Sequence, residues 1–294
     1  MRKFIVRISL VLFPFLGMLG ILTFVTYKEE LHVLERDLTC PTGVVAAIVG
    51  DSRVEYVFDP EEIPWLMNYG QSGSPFQVTA QKARIIANQN PNLQFLAIDI
   101  WPRWFFDDVN ESFEGAANGD SLVELMTREN MPSFDESFLV RLSAGMWRQG
   151  LYHMITGIHR AKSSIAGGFA PKAATMKDGS SFGVDPRPLL HVPTTGELVL
   201  ESLLSDLMHC NVKIVLTSTP ILWYEQRWTE EARSYFEQRM QDLSAKHKVP
   251  WLNWLHEYQD RPEYWCDGAH LNAAGAKAFS REKRSELERY LDRR

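Results

Sequence analysis

The chain has 294 residues, 45% hydrophobic, 12% aromatic and 23% charged, a mix that excludes a disordered chain, a collagen-like repeat and a small disulfide-stapled scaffold. Its net charge of −6 and pI near 5.8 lack the basic field of a nucleic-acid binder. Three cysteines cannot build a disulfide framework.

Ile8 to Tyr27 is an uncharged apolar run. About 20 such residues in a helix span about 30 Å, the thickness of a bilayer hydrocarbon core. Arg2, Lys3 and Arg7 precede it, and that basic bias predicts a cytoplasmic N-terminus with the rest of the chain outside. The competing reading is a cleaved signal peptide, whose apolar stretch is shorter and ends in a small-residue cleavage site. The expected organisation is a cytoplasmic start over 1–7, a transmembrane signal anchor over 8–27, a stalk over 28–42 and a catalytic domain over 43–294. Either way the bulk of the chain is exported, and the expected location is the outer, periplasmic face of the cytoplasmic membrane.

Beyond the stalk, short apolar runs alternate with amphipathic stretches. Gly43–Val49, Trp65–Tyr69, Leu93–Trp101, Val212–Thr217 and Pro250–Trp254 read as strands. Helical spacing runs over 78–88, 138–158, 195–210, 229–247 and 272–291, with Thr195 and Asn272 as N-caps. This alternation predicts an α/β three-layer sandwich around a mostly parallel five-stranded sheet, flavodoxin-like in layout, preceded by one transmembrane helix. The Gly-, Ser- and Pro-rich stretch over about 162–193 reads either as an insertion over one end of the sheet or as a disordered surface loop.

Three residues carry the chemistry. Ser52, in Gly50-Asp51-Ser52, directly follows the first strand, and ligands of parallel α/β sheets bind at the carboxyl ends of the strands. A serine hydroxyl is a weak nucleophile until a base takes its proton. Asp267 and His270, in Asp267-Gly268-Ala269-His270, fall after the last strand. There Asp267 can hold the Nδ1–H of His270 and leave Nε2 to accept the Ser52 proton. Each piece also has a bland reading: a turn-forming Asp, and a His near a helix cap. Cys266 reads as a small packing residue, and Cys40 and Cys210 are left free to pair. No dinucleotide fingerprint, P-loop, G-x-S-x-G elbow or zinc motif occurs, so no cofactor and no metal is expected.

These blocks, in this order, resemble the SGNH (GDSL-type) hydrolase superfamily. Ile48-Val49-Gly50-Asp51-Ser52 matches its serine block, Asn68-Tyr69-Gly70-Gln71-Ser72-Gly73-Ser74 its glycine block, and Asp267-Gly268-Ala269-His270 its acid–base block. The resemblance implies Ser52 as nucleophile, His270 as base, Asp267 as its orienter, and the N–H groups of Ser52 and Gly73 as oxyanion donors. One block departs. Where the family offers an Asn after the third strand, this chain reads Ile98-Asp99-Ile100-Trp101-Pro102-Arg103-Trp104. Arg53 or Arg103 are candidates to replace that donor, and Trp101 opens an aromatic cluster (Trp101, Trp104, Phe105, Phe106) suited either to stacking on a sugar or to packing. The departure and the anchor resemble a membrane-bound cell-envelope subset, the DltD-like and alginate-acetylation-type proteins. That implies an acylated glycan or similar ester as substrate, the membrane as a partner through the N-terminal helix, and a membrane-bound O-acyltransferase as a further partner. The expected activity is ester hydrolysis or O-acyl transfer through an acyl-serine. The alternatives are a catalytically weak binding or assembly subunit of an envelope-polymer complex, and a membrane-proximal phospholipase. No nucleic-acid partner is expected.

Overall fold

In the computed structural model the described residues are Gly17, 38–105 without Gly73 and Pro75, 169, 170, 172, and 194–291 without 223 and 225–227. The chain divides into two compact units, Met1–Arg36 with Glu114–Ser163, and Asp37–Phe113 with Ser164–Arg294. All described residues except Gly17 belong to the second. Apart from Gly17, the apolar run over 8–27 lies outside the described residues, as does the helix expected over 138–158. Among those that are described, no helix is long and apolar enough to cross a membrane.

The second unit is an α/β fold. Its strands are β1 Ala46–Gly50, β2 Leu66–Gly70, β3 Phe95–Asp99, β4 Lys213–Ser218 and β5 Trp251–Asn253. They form one sheet in the order β2-β1-β3-β4-β5, and every pairing is parallel. The helices are α1 Ser52–Val57, α2 Phe76–Gln89, α3 Thr195–Leu207, α4 Glu230–His247 and α5 Ala273–Leu287. All five expected strands are present within a few residues of their expected limits. A short 3₁₀ turn, Pro102–Phe105, follows β3.

Alternation along the strands divides the core. Ala46, Ile48, Phe95, Ala97 and Val215 point to one face, where α1 and α5 cover them with Val54, Val57, Phe58, Phe279 and Leu287. Ala47, Val49, Leu96, Ile98 and Leu216 are fully buried on the other face, beneath α2, α3 and α4. With both faces covered, the strands are apolar throughout instead of alternating. Phe279 is central to the first face, edge-on to Phe58 at 5.7 Å and to Trp254 at 5.3 Å. Burying each such side chain stabilises the fold by about 2 kcal/mol.

The helix starts follow capping chemistry. Asn272 caps α5, its side chain accepting from Gly275 N at 3.0 Å. The cap of α3 is Thr194, not Thr195. Its hydroxyl accepts from Glu197 N at 3.2 Å, because a side-chain oxygen reaches the N–H three residues on and Thr195 would overshoot Glu197 by one. Glu197 then pairs with Arg239 of α4 through Nε at 2.7 Å. At the amino end of the sheet, Leu38 is fully buried, and Asn90 donates to its carbonyl at 3.1 Å while accepting from Cys40 N at 2.6 Å. Leu38 and Cys40, in the stretch read as stalk, thus pack onto the sheet unit. All three cysteines are free thiols. Cys40 Sγ lies 3.6 Å from the Tyr69 hydroxyl and Cys210 Sγ 3.7 Å from Asn88 Oδ1, so the two keep separate partners.

Two glycines let α1 lie against the strands. A Cβ on Gly50 would collide with the Val54 side chain, and one on Gly70 with the backbone of Val54 and Glu55. The second obstacle cannot rotate away, so Gly70→Ala must shift α1 bodily. The expected loss is about 2 kcal/mol, read as a lower midpoint in urea unfolding with an unchanged slope.

Candidate active site

β1 ends at Gly50, and Asp51 turns the chain by capping α1, its carboxylate accepting from Arg53 N at 2.9 Å. Ser52 is therefore the first helical residue, at the carboxyl edge of a central strand. Its N–H is one of the helix donors that have no partner within the helix. More than two hundred residues later, the loop between β5 and α5 brings in the base. Trp265 and Leu271 form an antiparallel bridge, and Cys266 N donates to the His270 carbonyl at 3.0 Å. Inside this small loop Asp267 Oδ1 accepts from the N–H groups of Ala269 and His270, both at 2.9 Å. Below it Asn272 donates to the Glu263 carbonyl at 2.8 Å.

These two supports place three side chains in line. Ser52 Oγ is 2.7 Å from His270 Nε2, and His270 Nδ1 is 2.8 Å and 2.9 Å from the two oxygens of Asp267. With Nδ1–H donating to the carboxylate, Nε2 is the acceptor for the serine O–H. Burial opposes ionisation of Asp267. The hydrogen bond from His270, the Ala269 N–H and the charges of His270 and Lys172 outweigh it and hold this carboxyl well below the usual range. Cys266 Sγ lies 3.7 Å from Asp267 Oδ2. Burial, then the charge of Asp267, push this thiol up to about 11, so it stays protonated. The thiol, carboxylate and imidazole donors cluster within 4.8 Å, but the carboxylate and both ring nitrogens are engaged in the Asp267–His270–Ser52 line.

The remaining expected site residues fall as follows. Gly73 lies outside the described residues; beside it Ser74 N donates to Gln71 O at 3.2 Å. Arg53 is only 1% exposed and forms ion pairs with Asp51 at 3.2 Å and Asp99 at 2.9 Å. Its Nη1 has no hydrogen-bond partner, and its guanidinium lies 5.1 Å from the centre of the Trp101 ring. Arg103 approaches the same ring at 5.4 Å. Trp101 is half-buried at this rim. Trp104 and Phe105 belong to the core, Trp104 stacked on Phe76 at 4.3 Å and Phe105 edge-on to Phe236 at 5.0 Å. Phe106 lies outside the described residues.

Four polar residues escaped the sequence reading. Asp99, fully buried at the end of β3, accepts from Arg53, Thr217 and Thr219. Burial pushes it up to about 6 against the pull of Arg53, with Asp51 adding to the rise. Glu55 and Tyr56, one turn beyond Ser52, both bond to Ser72, the Tyr56 hydroxyl at 2.8 Å. Tyr56 also meets the His270 ring edge-on at 5.2 Å. Lys172 sits over Tyr56 at 4.2 Å and 3.7 Å from Asp267 Oδ2. The spacing of Ser52, Glu55 and Tyr56 would have placed them on one face, had so short a helix been recognised.

No protein-family model matches the chain, and no curated protein matches it. A solved structure from Streptococcus pneumonia, given the provisional description platelet activating factor, aligns over 95% of this chain and 99% of its own, at 14% identity and a TM-score of 0.46. That likeness is too low to carry chemistry across, so the case rests on the side chains themselves.

Lys82 of α2 is buried behind this site. Its Nζ donates to Gln71 Oε1 at 2.7 Å, and burial brings it down to about 7 against the charge of Glu55. Above that pH the folded chain releases a proton that the unfolded chain keeps to about 10.5, so folding stability rises with pH in this window, by at most about 1.4 kcal/mol per unit. The difference in unfolding free energy between wild type and Lys82→Met, followed from pH 7 to 10, should show this rise, because other titrations, the raised Cys266 thiol among them, cancel in it.

Proposed function

We propose that the chain is a serine acyl-ester hydrolase or O-acyltransferase, membrane-anchored and extracytoplasmic, acting on an acylated envelope glycan or a similar carrier. The observation that carries the chemistry is the 2.7 Å approach of Ser52 Oγ to an imidazole whose other nitrogen is held by Asp267. The order of the serine, glycine and acid–base blocks, which resembles the SGNH hydrolases, supports the same reading. The apolar run over 8–27 supports the anchor, and the departure after β3 supports the envelope subset and an O-acyltransferase partner.

In this mechanism Ser52 Oγ attacks the ester carbonyl carbon and its proton passes to His270 Nε2. The Asp267 carboxylate stabilises the imidazolium that forms. Collapse of the tetrahedral intermediate breaks the bond to the leaving alcohol, which takes the proton from Nε2 and leaves an acyl-serine. Water or a sugar hydroxyl then gives its proton to the same nitrogen as it attacks, and Ser52 regains a proton as the acyl group departs. The developing oxyanion is received by the Ser52 N–H, with the Gly73 N–H as the second donor that the resemblance implies.

The second reading, a binding or assembly subunit, has a specific observation in its favour. No Asn follows β3, and Arg53, a candidate to replace that donor, is held in an ion pair with the buried Asp99 at 2.9 Å. The two readings separate on one experiment. A fluorophosphonate should label the wild-type protein at Ser52 and leave Ser52→Ala unlabelled. Turnover of an aryl acetate should fall by about three to four orders of magnitude in His270→Ala and Asp267→Asn. An unlabelled wild type would favour the binding subunit.

A further inference from the structure

Ala170 and Lys172, in the stretch read as an insertion, reach the site. The Ala170 N–H donates to the Glu55 carbonyl of α1 at 3.0 Å, and the Lys172 carbonyl accepts from the Ala273 N–H, the first residue of α5, at 2.8 Å. One bond thus falls on the helix that starts with Ser52 and the other on the helix that follows His270. Between them the Lys172 ammonium lies 4.2 Å over the Tyr56 ring and 3.7 Å from Asp267 Oδ2. Tyr56 in turn touches the His270 ring.

We propose that Lys172 is a positioning residue of the Ser52–His270–Asp267 line, fixing the outer oxygen of Asp267 and setting how strongly that carboxylate favours the imidazolium. The inference rests on the acyl-transfer reading of the site. Its physics is electrostatic. Among the described residues, the groups facing the imidazole are Asp267 and Cys266 from its own loop, Ser52 and Tyr56 from α1, and Lys172 from segment 169–172, with Glu55 beyond Tyr56 on Ser72. Of the groups in direct contact with Asp267, Lys172 brings a permanent positive charge. A cation on the carboxylate offsets part of its pull on the histidine proton, so His270 remains a neutral base to lower pH than a two-residue pair would allow. The Tyr56 face holds the ammonium in place without neutralising it.

The test compares wild type, Lys172→Met and Lys172→Arg as full-length proteins. Methionine keeps the length that packs on Tyr56 and removes the charge. The rate of Ser52 labelling by a fluorophosphonate is followed from pH 5 to 9. In Lys172→Met the midpoint of the acid limb should move up by about half a pH unit, with the limiting rate at high pH within about threefold of wild type. Lys172→Arg should return the midpoint to the wild-type value. A midpoint in Lys172→Met that coincides with wild type overturns the assignment, as does a loss of rate at every pH that Lys172→Arg does not restore. If the wild type is not labelled at all, the enzymatic reading fails, and titration of the His270 ring by carbon NMR in the same variants decides the role of Lys172. The same upward shift supports it, and coincident curves overturn it.

Discussion

The contact between α1 and α5 is what makes Ser52 and His270 neighbours. It turns on one buried hydroxyl. Ser280 Oγ donates to the Val57 carbonyl at 3.0 Å and accepts from Asp59 N at 2.8 Å, so the end of α1 is bonded to the middle of α5 across more than two hundred residues of sequence. Phe58 and Phe279 pack beside it. Gly50 and Gly70 admit α1 to the sheet at the depth this contact needs. Asn68 closes the arrangement from β2, donating to Val54 O at 2.8 Å and Phe58 O at 3.2 Å and accepting from Gly70 N at 2.8 Å. A serine and a histidine on two mobile loops would rarely meet at 2.7 Å. Here each sits at the edge of an element already fixed by burial.

Beneath the serine, the end of the sheet carries charge that ordinary cores avoid. Asp51, Arg53 and Asp99 are all buried, and buried charges persist only when paired and hydrogen-bonded. The pairing is close to complete. Asp51 caps α1 and holds Arg53, and Asp99 shares its oxygens among Arg53, Thr217 and Thr219. One polar atom is left over, Arg53 Nη1, against the face of Trp101. The cluster ties β1, β3 and β4 together at the end where the chemistry is proposed, and it does so without covering Ser52.

Much of this was legible in the sequence, and the reasons differ by residue. The strands were, because parallel strands buried on both faces are unbroken apolar runs, as in Ala46–Gly50 and Lys213–Ser218. Ser52, Asp267 and His270 were, because each follows a strand, and a parallel sheet sends all such positions to one edge. α1 was not. Its six residues, SRVEYV, are too few to display a period, and Glu55 and Tyr56 went unnoticed with it. Lys82 reads as a surface lysine on an amphipathic helix, and only the fold shows α2 turning it inward onto Gln71. The pairing of Arg53 with Asp99 spans 46 positions, and no local pattern announces a partner so distant. Lys172 sits in a stretch whose Gly, Ser and Pro content signals a loop and hides the contact that matters.

The departure after β3 has a consequence for how an oxyanion would be received. In the SGNH hydrolases that the blocks resemble, an Asn after the third strand would donate a hydrogen bond. A carboxylate has the opposite effect, since a negative charge near a developing alkoxide raises its energy. Asp99, at the end of β3, is fully buried, and the Arg53 guanidinium at 2.9 Å offsets its charge. With no such amide, the demand in the proposed reading would fall on backbone donors, the Ser52 N–H foremost. On the proposed reading, chemistry here would be slower than with three donors in place, because each lost oxyanion donor costs about two to three orders of magnitude in rate. A slow acyl-serine step suits an enzyme fed by a neighbour that holds the acyl group close, and is poorly suited to capturing a dilute soluble ester. On the proposed reading, transfer between tethered partners would then be favoured over free hydrolysis.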